Sequence, residues 1–178
     1  MRNPLLLALF LVLAVFASTA QASGAGARIV RLHDADGNDV GSVRISSVGA
    51  RFVRVRATVR NLPAGFHGFH VHSVGTCEPP FTSAGGHHNP AGATHPGHAG
   101  DMPVLYVTED GRGLADFITD RFTIPSLFDT DGSAIIIHAK PDNYANIPTD
   151  RYDPDPDTMT LNTGDAGARI ACGVIMKR

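Results

Sequence analysis

Histidine carries most of the chemistry open to this sequence. Residues 65–78 read GFHGFHVHSVGTCE, which places His67, His70 and His72 within six residues and sets Phe66, Phe69 and Val71 around them. On a β-strand, residues two apart point to the same face. His70 and His72 can therefore reach one metal ion while Val71 turns the other way into a core. Neutral imidazole suits copper, zinc, iron or nickel. A second group follows at His87, His88, His95, His98 and Asp101, and a pair stands alone at His138 and Asp142. Of the nine histidines only His33 lies outside these groups. One histidine by itself reads as a surface or hydrogen-bonded residue. Eight gathered in this way, with carboxylates among them, read as a metal centre. No serine triad, acidic nucleophile or phosphate-binding loop competes with that reading.

The elements that must position these side chains are short strands and turns. Arg28–His33 reads as a strand, residues 34–38 as a turn and residues 40–45 as a second strand. Over residues 51–60 the alternation is clear. Val53, Val55, Ala57 and Val59 face one way, and Arg54, Arg56, Thr58 and Arg60 the other, giving a half-buried strand with a solvated arginine face. Residues 61–65 turn into the histidine strand. Residues 78–100 are rich in Gly, Pro and His without periodicity, a long irregular segment that a metal would clip together. Residues 103–107 resume regular structure, 109–111 turn, and 113–118 and 122–124 are weaker strands. After a turn at 129–132, residues 133–138 form a buried strand ending on His138. Residues 139–167 are a second long excursion, and 168–175 close the chain as a last strand. No internal repeat or amphipathic helix stands out. This pattern predicts an all-β domain, a β-sandwich or small barrel.

Residues 1–22 read as an export signal, with Arg2 as the basic start, an apolar stretch over 5–16 and Ala20-Gln21-Ala22 as a small-x-small cleavage site. The apolar stretch is too short for a transmembrane span. The expected organisation is a signal peptide at 1–22 and one domain at 23–178, exported and soluble, in a periplasmic or extracellular compartment. The chain carries a net charge of −2. Nothing in that balance favours nucleic acid. The two cysteines, Cys77 and Cys172, favour a disulfide in an exported chain, with two buried free thiols as the alternative.

Taken together these motifs resemble the copper/zinc superoxide dismutase family, in its exported bacterial form. The residues that carry the resemblance are 65–72 with His-Gly-Phe-His-Val-His, 83–90, His98-Ala99-Gly100-Asp101, 137–142, and 164–174 with Gly-Asp-Ala-Gly-Ala-Arg-Ile-Ala-Cys-Gly. The resemblance implies a Greek-key β-sandwich or flattened barrel with two long functional loops. It implies an enzyme that disproportionates superoxide to dioxygen and hydrogen peroxide by copper redox cycling. It assigns copper to His70, His72, His87 and His138, and zinc to His87, His95, His98 and Asp101, so that His87 bridges the two. His87 and Arg169 become the catalytic residues, Arg169 guiding the anion. Asp142 becomes the carboxylate joining copper-side and zinc-side histidines, and His67 a residue that orients ligands by hydrogen bonding. Cys77 and Cys172 become a disulfide pair.

The sequence also departs from the family pattern. His95 and His98 are separated only by Pro96-Gly97. Both can bind one ion from a turn, or His95 can swing away, with His88 or water substituting. His88 stands where family members carry an aromatic residue and is expected to stack or lie exposed. The acidic run at 150–157 reads as a solvated loop face, with a lowered local potential or a cation site as alternatives. Arg151 and Arg169 are the residues that would offset it. The expected partner is superoxide, with neither nucleic acid nor stable membrane insertion, and a homodimer stays open. Two other functions remain in view. One is a non-catalytic metal-binding or copper-delivery module on the same scaffold. The other is a structural sandwich that keeps histidines for a zinc staple.

Overall fold

The computed structural model describes residues 26–151, 153 and 156–177. The signal peptide read at 1–22 lies outside the described residues. Nine strands form the body: β1 Arg28–His33, β2 Asp39–Val48, β3 Phe52–Val59, β4 Gly65–His67, β5 Phe69–His72, β6 Leu105–Val107, β7 Gly113–Thr119, β8 Ala134–His138 and β9 Arg169–Val174. All neighbours pair antiparallel, in the order β4-β6-β7-β3-β2-β1-β9-β8-β5. The two end strands, β4 and β5, are consecutive in sequence and separated by Gly68 alone. The sheet therefore curls into a nearly closed, flattened barrel, the Greek-key all-β form that the resemblance implied.

Alternation builds the plain side of the barrel. In β3 every second residue is buried, and Val53, Val55, Ala57 and Val59 enter the core while the arginines stay outside. β7, a weak candidate from its sequence, pairs with β3 along its whole length from Val53↔Thr119 to Val59↔Gly113. The apolar run of β8 is buried on both faces. Ile135 and Ile137 join the main core with Phe69 and Val71, while Ala134 and Ile136 pack with Phe81, Ala84 and Cys172. Cys77 and Cys172 are disulfide-bonded, tying the first long loop to β9.

Three local readings change. The histidine strand is split at Gly68, whose N–H donates to the Lys140 carbonyl and whose carbonyl accepts from the His138 N–H, both at 2.8 Å. A Cβ there would come 2.6 Å from the Ala166 Cβ. Only glycine lets the second long loop approach so closely, and β4 and β5 consequently pair with different neighbours. Residues 122–124 are not a strand. Phe122 and Ile124 are buried in the core, and a 3₁₀ turn follows at Pro125–Leu127. The second loop also contains a short helix, α1 Thr158–Thr163, capped by the Asp157 carboxylate, which accepts from the N–H groups of Met159 and Thr160. Among the described residues no helix is long and apolar enough to cross a membrane.

Candidate metal centre

β5 presents the first two ligand candidates. Phe69 and Val71 point into the core, which leaves His70 and His72 on the opposite face beneath the first long loop. That loop runs along β5 and is pinned to it by backbone bonds: Val71 N–H to Gly100 carbonyl at 2.9 Å, His88 N–H to Val71 carbonyl at 2.8 Å and Ser73 N–H to Gly86 carbonyl at 2.9 Å. Isolated bridges pair His70 with Asp101 and His72 with His87. β8 lies against β5 and ends on His138, opposite Arg169 at the start of β9. Four segments distant in sequence thus converge on one buried volume.

Two groups of four meet there: His70, His72, His87 and His138, and His87, His95, His98 and Asp101. In each, one potential ligand atom per residue lies within 4.8 Å of all the others. His87 belongs to both. Its Nδ1 lies 2.7 Å from Asp101 Oδ1 and 3.3 Å from His98 Nδ1, whereas its Nε2 is buried without a partner.

Hydrogen bonds fix which nitrogen each ring offers. His72 donates Nδ1–H to the Gly85 carbonyl at 2.9 Å, and His138 donates Nδ1–H to the Gly167 carbonyl at 3.1 Å. Both Nε2 atoms are then bare lone pairs, and they sit 3.3 Å apart. Two imidazole nitrogens around a tetrahedral ion, each at about 2.0–2.1 Å, would be separated by roughly that distance. His70 donates Nε2–H to Asp142 Oδ2 at 2.8 Å, leaving its Nδ1 buried and unpartnered. His95 donates Nε2–H to Asp142 Oδ1 at 2.8 Å, and its Nδ1 faces the Asp101 carboxylate, 3.1 Å from Oδ2. Unpartnered buried nitrogens are costly unless a cation meets them. The donor set fits two adjacent metal ions, three imidazoles plus a shared one on the copper side and three imidazoles plus a carboxylate on the zinc side.

Electrostatics separates the two sides. Burial lowers His70 to about 4, His138 to about 3 and His72 well below its ordinary value, so these rings are neutral at neutral pH, each with a lone pair to offer a metal. Burial also opposes charge on His95, but the Asp101 and Asp142 carboxylates outweigh it and raise that ring to about 9. Burial pushes both carboxyls up, yet hydrogen bonds from the histidines more than reverse this and hold each far below the usual carboxylate range.

Around this centre, His67 places its two ring nitrogens 2.7 Å from the His138 carbonyl and 2.8 Å from the Pro63 carbonyl, beside a ligand and in contact with no metal group. Arg169 donates to the carbonyls of Phe81 and Gly85, and the latter also receives the His72 Nδ1–H. His33 is an exposed β1 residue. His88 departs from expectation. It is 4% exposed, pairs with no aromatic ring among the described residues, and has a buried unpartnered Nε2. The backbone bonds that pin the loop to β5 draw it inward. His95 does not swing away: it meets His98 and Asp101 from one turn. Gly164 begins the 164–174 motif, but sequence reasoning missed its role. It takes φ 58° at the end of α1, and a Cβ there would overlap the Asp142 carboxylate. Its place just after a capped helix was the available signal.

Residues 40–175 match the copper/zinc superoxide dismutase (SODC) family. A Cu-Zn superoxide dismutase of Mycolicibacterium paratuberculosis is 42% identical, over 89% of this chain and 79% of that protein. The Mycobacterium tuberculosis Cu-Zn superoxide dismutase is 43% identical, over 79% of this chain and 66% of that protein. The structure of the Cu/Zn superoxide dismutase from Brucella abortus superposes with a TM-score of 0.62 at 29% identity, covering 85% of this chain and 100% of the other. With a paired four-residue metal geometry and a match spanning most of its length, the chain belongs to the copper/zinc superoxide dismutase family.

Proposed function

We propose that His70, His72 and His138 hold copper together with His87, that His87, His95, His98 and Asp101 hold zinc, and that Arg169 draws the substrate to the copper side. The reaction is the disproportionation of superoxide: one anion is oxidised to dioxygen, and another is reduced, with proton uptake, to hydrogen peroxide. When bound, copper supplies the one-electron exchange and zinc a fixed positive charge beside it. The observation that carries this reading is His87, the residue common to both groups, with Nδ1 turned to Asp101 and Nε2 left free. Nε2 is the atom at which the chain can hold a proton and hand it to product, while the zinc-side contacts keep the ring aimed. Asp142 fixes the tautomers of His70 and His95 by accepting an N–H hydrogen bond from each. Arg169 supplies a cation for a small anion, anchored by two backbone carbonyls. A copper-delivery module or a zinc staple has no use for such an arginine beside a complete copper set.

Pulse radiolysis of the protein loaded with copper and zinc tests the assignment. Rapid, cyanide-sensitive decay of superoxide is expected, and decay no faster than with the metal-free protein would overturn it. The chain is further read as a single exported domain, residues 23–178, released after cleavage of residues 1–22, in the periplasm or outside the cell. The Arg2 start, the apolar stretch at 5–16 and Ala20-Gln21-Ala22 support this, and the Cys77–Cys172 disulfide suits an oxidising compartment. Mass spectrometry of protein from periplasmic or culture fractions should find an N-terminus at or near Ser23. Cytoplasmic protein that keeps Met1 would refute it.

A further inference from the structure

The turn that carries His95 and His98 is held to the barrel by an arginine that belongs to neither metal group. Arg121 follows β7, and its backbone N–H bonds the Thr119 hydroxyl at 3.2 Å. The next residue, Phe122, is buried in the core and fixes where Arg121 starts. From there one guanidinium nitrogen, Nη1, donates to the Pro96 carbonyl at 2.6 Å and to the His98 carbonyl at 3.0 Å. Those carbonyls flank Gly97, so a single nitrogen spans the turn between two zinc ligands. Among the described residues Arg121 makes no salt bridge with any carboxylate, so its charge is directed at the turn.

The rest of the loop is secured differently. Backbone bonds at His88 and Gly100 pin its two ends to β5. The Asn89 side chain bonds within the loop, to Ala93, and does not tie it to the barrel. At the tip, the Gly97 N–H bonds only the nearby Thr94 carbonyl. Among the described residues, the side-chain hydrogen bonds that join the tip to the rest of the protein are those of Arg121 and the His95–Asp142 contact. Arg121 also forms one wall of a hollow of about 270 Å³ beside Pro96 and Asp101. A truncated side chain would leave solvent there, with nothing to replace the clamp.

We propose that Arg121 is a positioning residue for zinc, which presets the spacing of His95 and His98 by clamping the Pro96 and His98 carbonyls. The proposal rests on the zinc assignment above. Electrostatics and geometry give opposite signs, which makes it testable. A guanidinium near a cation site repels the cation, so its removal should tighten zinc if charge alone mattered. The clamp predicts weaker zinc.

The experiment is competition between the copper-free protein and a chromophoric zinc chelator, for the parent, Arg121→Met and Arg121→Lys. Cobalt(II) ligand-field spectra report the geometry, and copper titration of zinc-free protein is the control. Arg121→Met should weaken zinc by about tenfold or more, the range seen when residues supporting metal ligands are lost, with an altered cobalt(II) spectrum and unchanged copper affinity. Lysine is one atom shorter but offers several N–H groups on one nitrogen, so Arg121→Lys should fall between the two. Parental zinc affinity and spectrum in Arg121→Met, or tighter zinc, would overturn the clamp. So would equal losses of zinc and copper affinity, which would mark a general structural role. A parent that binds no zinc would instead refute the zinc assignment itself.

Discussion

The two halves of the metal centre are built on different principles. On the copper side, His70, His72 and His138 stand on paired strands, and two of the three are oriented by backbone carbonyls, those of Gly85 and Gly167. Their geometry is set by the barrel and their neutrality by burial. On the zinc side, His87, His95, His98 and Asp101 come from one irregular loop, oriented by carboxylates and clamped from outside by Arg121. Besides His87, which both halves share, Asp142 joins them, one oxygen on His70 and the other on His95. The copper half should therefore be formed before metal arrives, whereas the zinc half holds charge that metal must displace.

The strongest way to break this comparison is to remove a strand ligand. His138→Ala should cut superoxide turnover of metal-replete protein by at least about a hundredfold, more than is usual for residues that merely support ligands. The β-sheet circular dichroism should be retained, because Ile135 and Ile137 keep β8 in the core. Full turnover would show that the ligand set is misassigned.

The pH dependence sharpens the same contrast. His95, raised to about 9, is an imidazolium in the metal-free protein at neutral pH, so zinc must expel its proton. Zinc affinity should then rise roughly tenfold per pH unit from about pH 6 to about pH 8 and level off near 9. His70 and His138, lowered to about 4 and about 3, have no proton to lose in that range and should contribute no slope to copper binding. The same sign governs folding of the metal-free protein. A raised folded pKa stabilises fully below the unfolded value near 6.5, and that contribution is lost as pH rises through about 9. Competition titrations at several pH values check this, and a flat zinc affinity would remove the distinction.

Gly164 tests the joint. Gly164→Ala would force a Cβ into the Asp142 carboxylate and place alanine at φ 58°. Zinc affinity should fall by about tenfold or more, and copper affinity by less, because His70 is still placed by the β5–β8 pairing. Metal competition on the two sites reads the ratio, and equal losses would show that the halves are not independently held.

What could be read from the sequence follows the same division. The plain half of the barrel was legible because one-sided burial writes a period of two into β3, and because β8 is dry on both faces. The metal groups were legible because ligand types crowd together, even inside a loop with no periodicity. The split at Gly68 was not, since the residues on both sides continue one aromatic-histidine pattern and the break depends on the approach of Ala166 and Lys140 from far along the chain. α1 spans too few residues for its periodicity to register. Buried Phe122 and Ile124 look like a strand but pack from an irregular segment. Arg121 lies in no motif, and although His88 falls within 83–90, the places of both are set by backbone contacts that sequence spacing does not encode.

The smallest expected effect concerns the approach to the copper half. The substrate is an anion and the chain carries a net charge of −2, so overall attraction is absent and a local field must do the steering. Arg169 is the best-placed source. It pairs with His138 across β8 and β9, is half-buried, and is held by the Phe81 carbonyl and by the same Gly85 carbonyl that orients His72. Arg169→Ile removes the charge and frees one acceptor, while His72 keeps its own bond to Gly85. Copper affinity should change little, and the second-order rate should fall several-fold to about tenfold. Arg169→Lys should restore much of the long-range attraction without the forked contacts, giving an intermediate rate. Added salt should slow the parent more than Arg169→Ile, because screening acts only on attraction that is present. Pulse radiolysis against ionic strength, at equal copper and zinc occupancy, separates the three proteins. Identical rates and identical salt slopes would show that the guiding charge lies elsewhere, with Arg151 in the second long loop the next residue to remove.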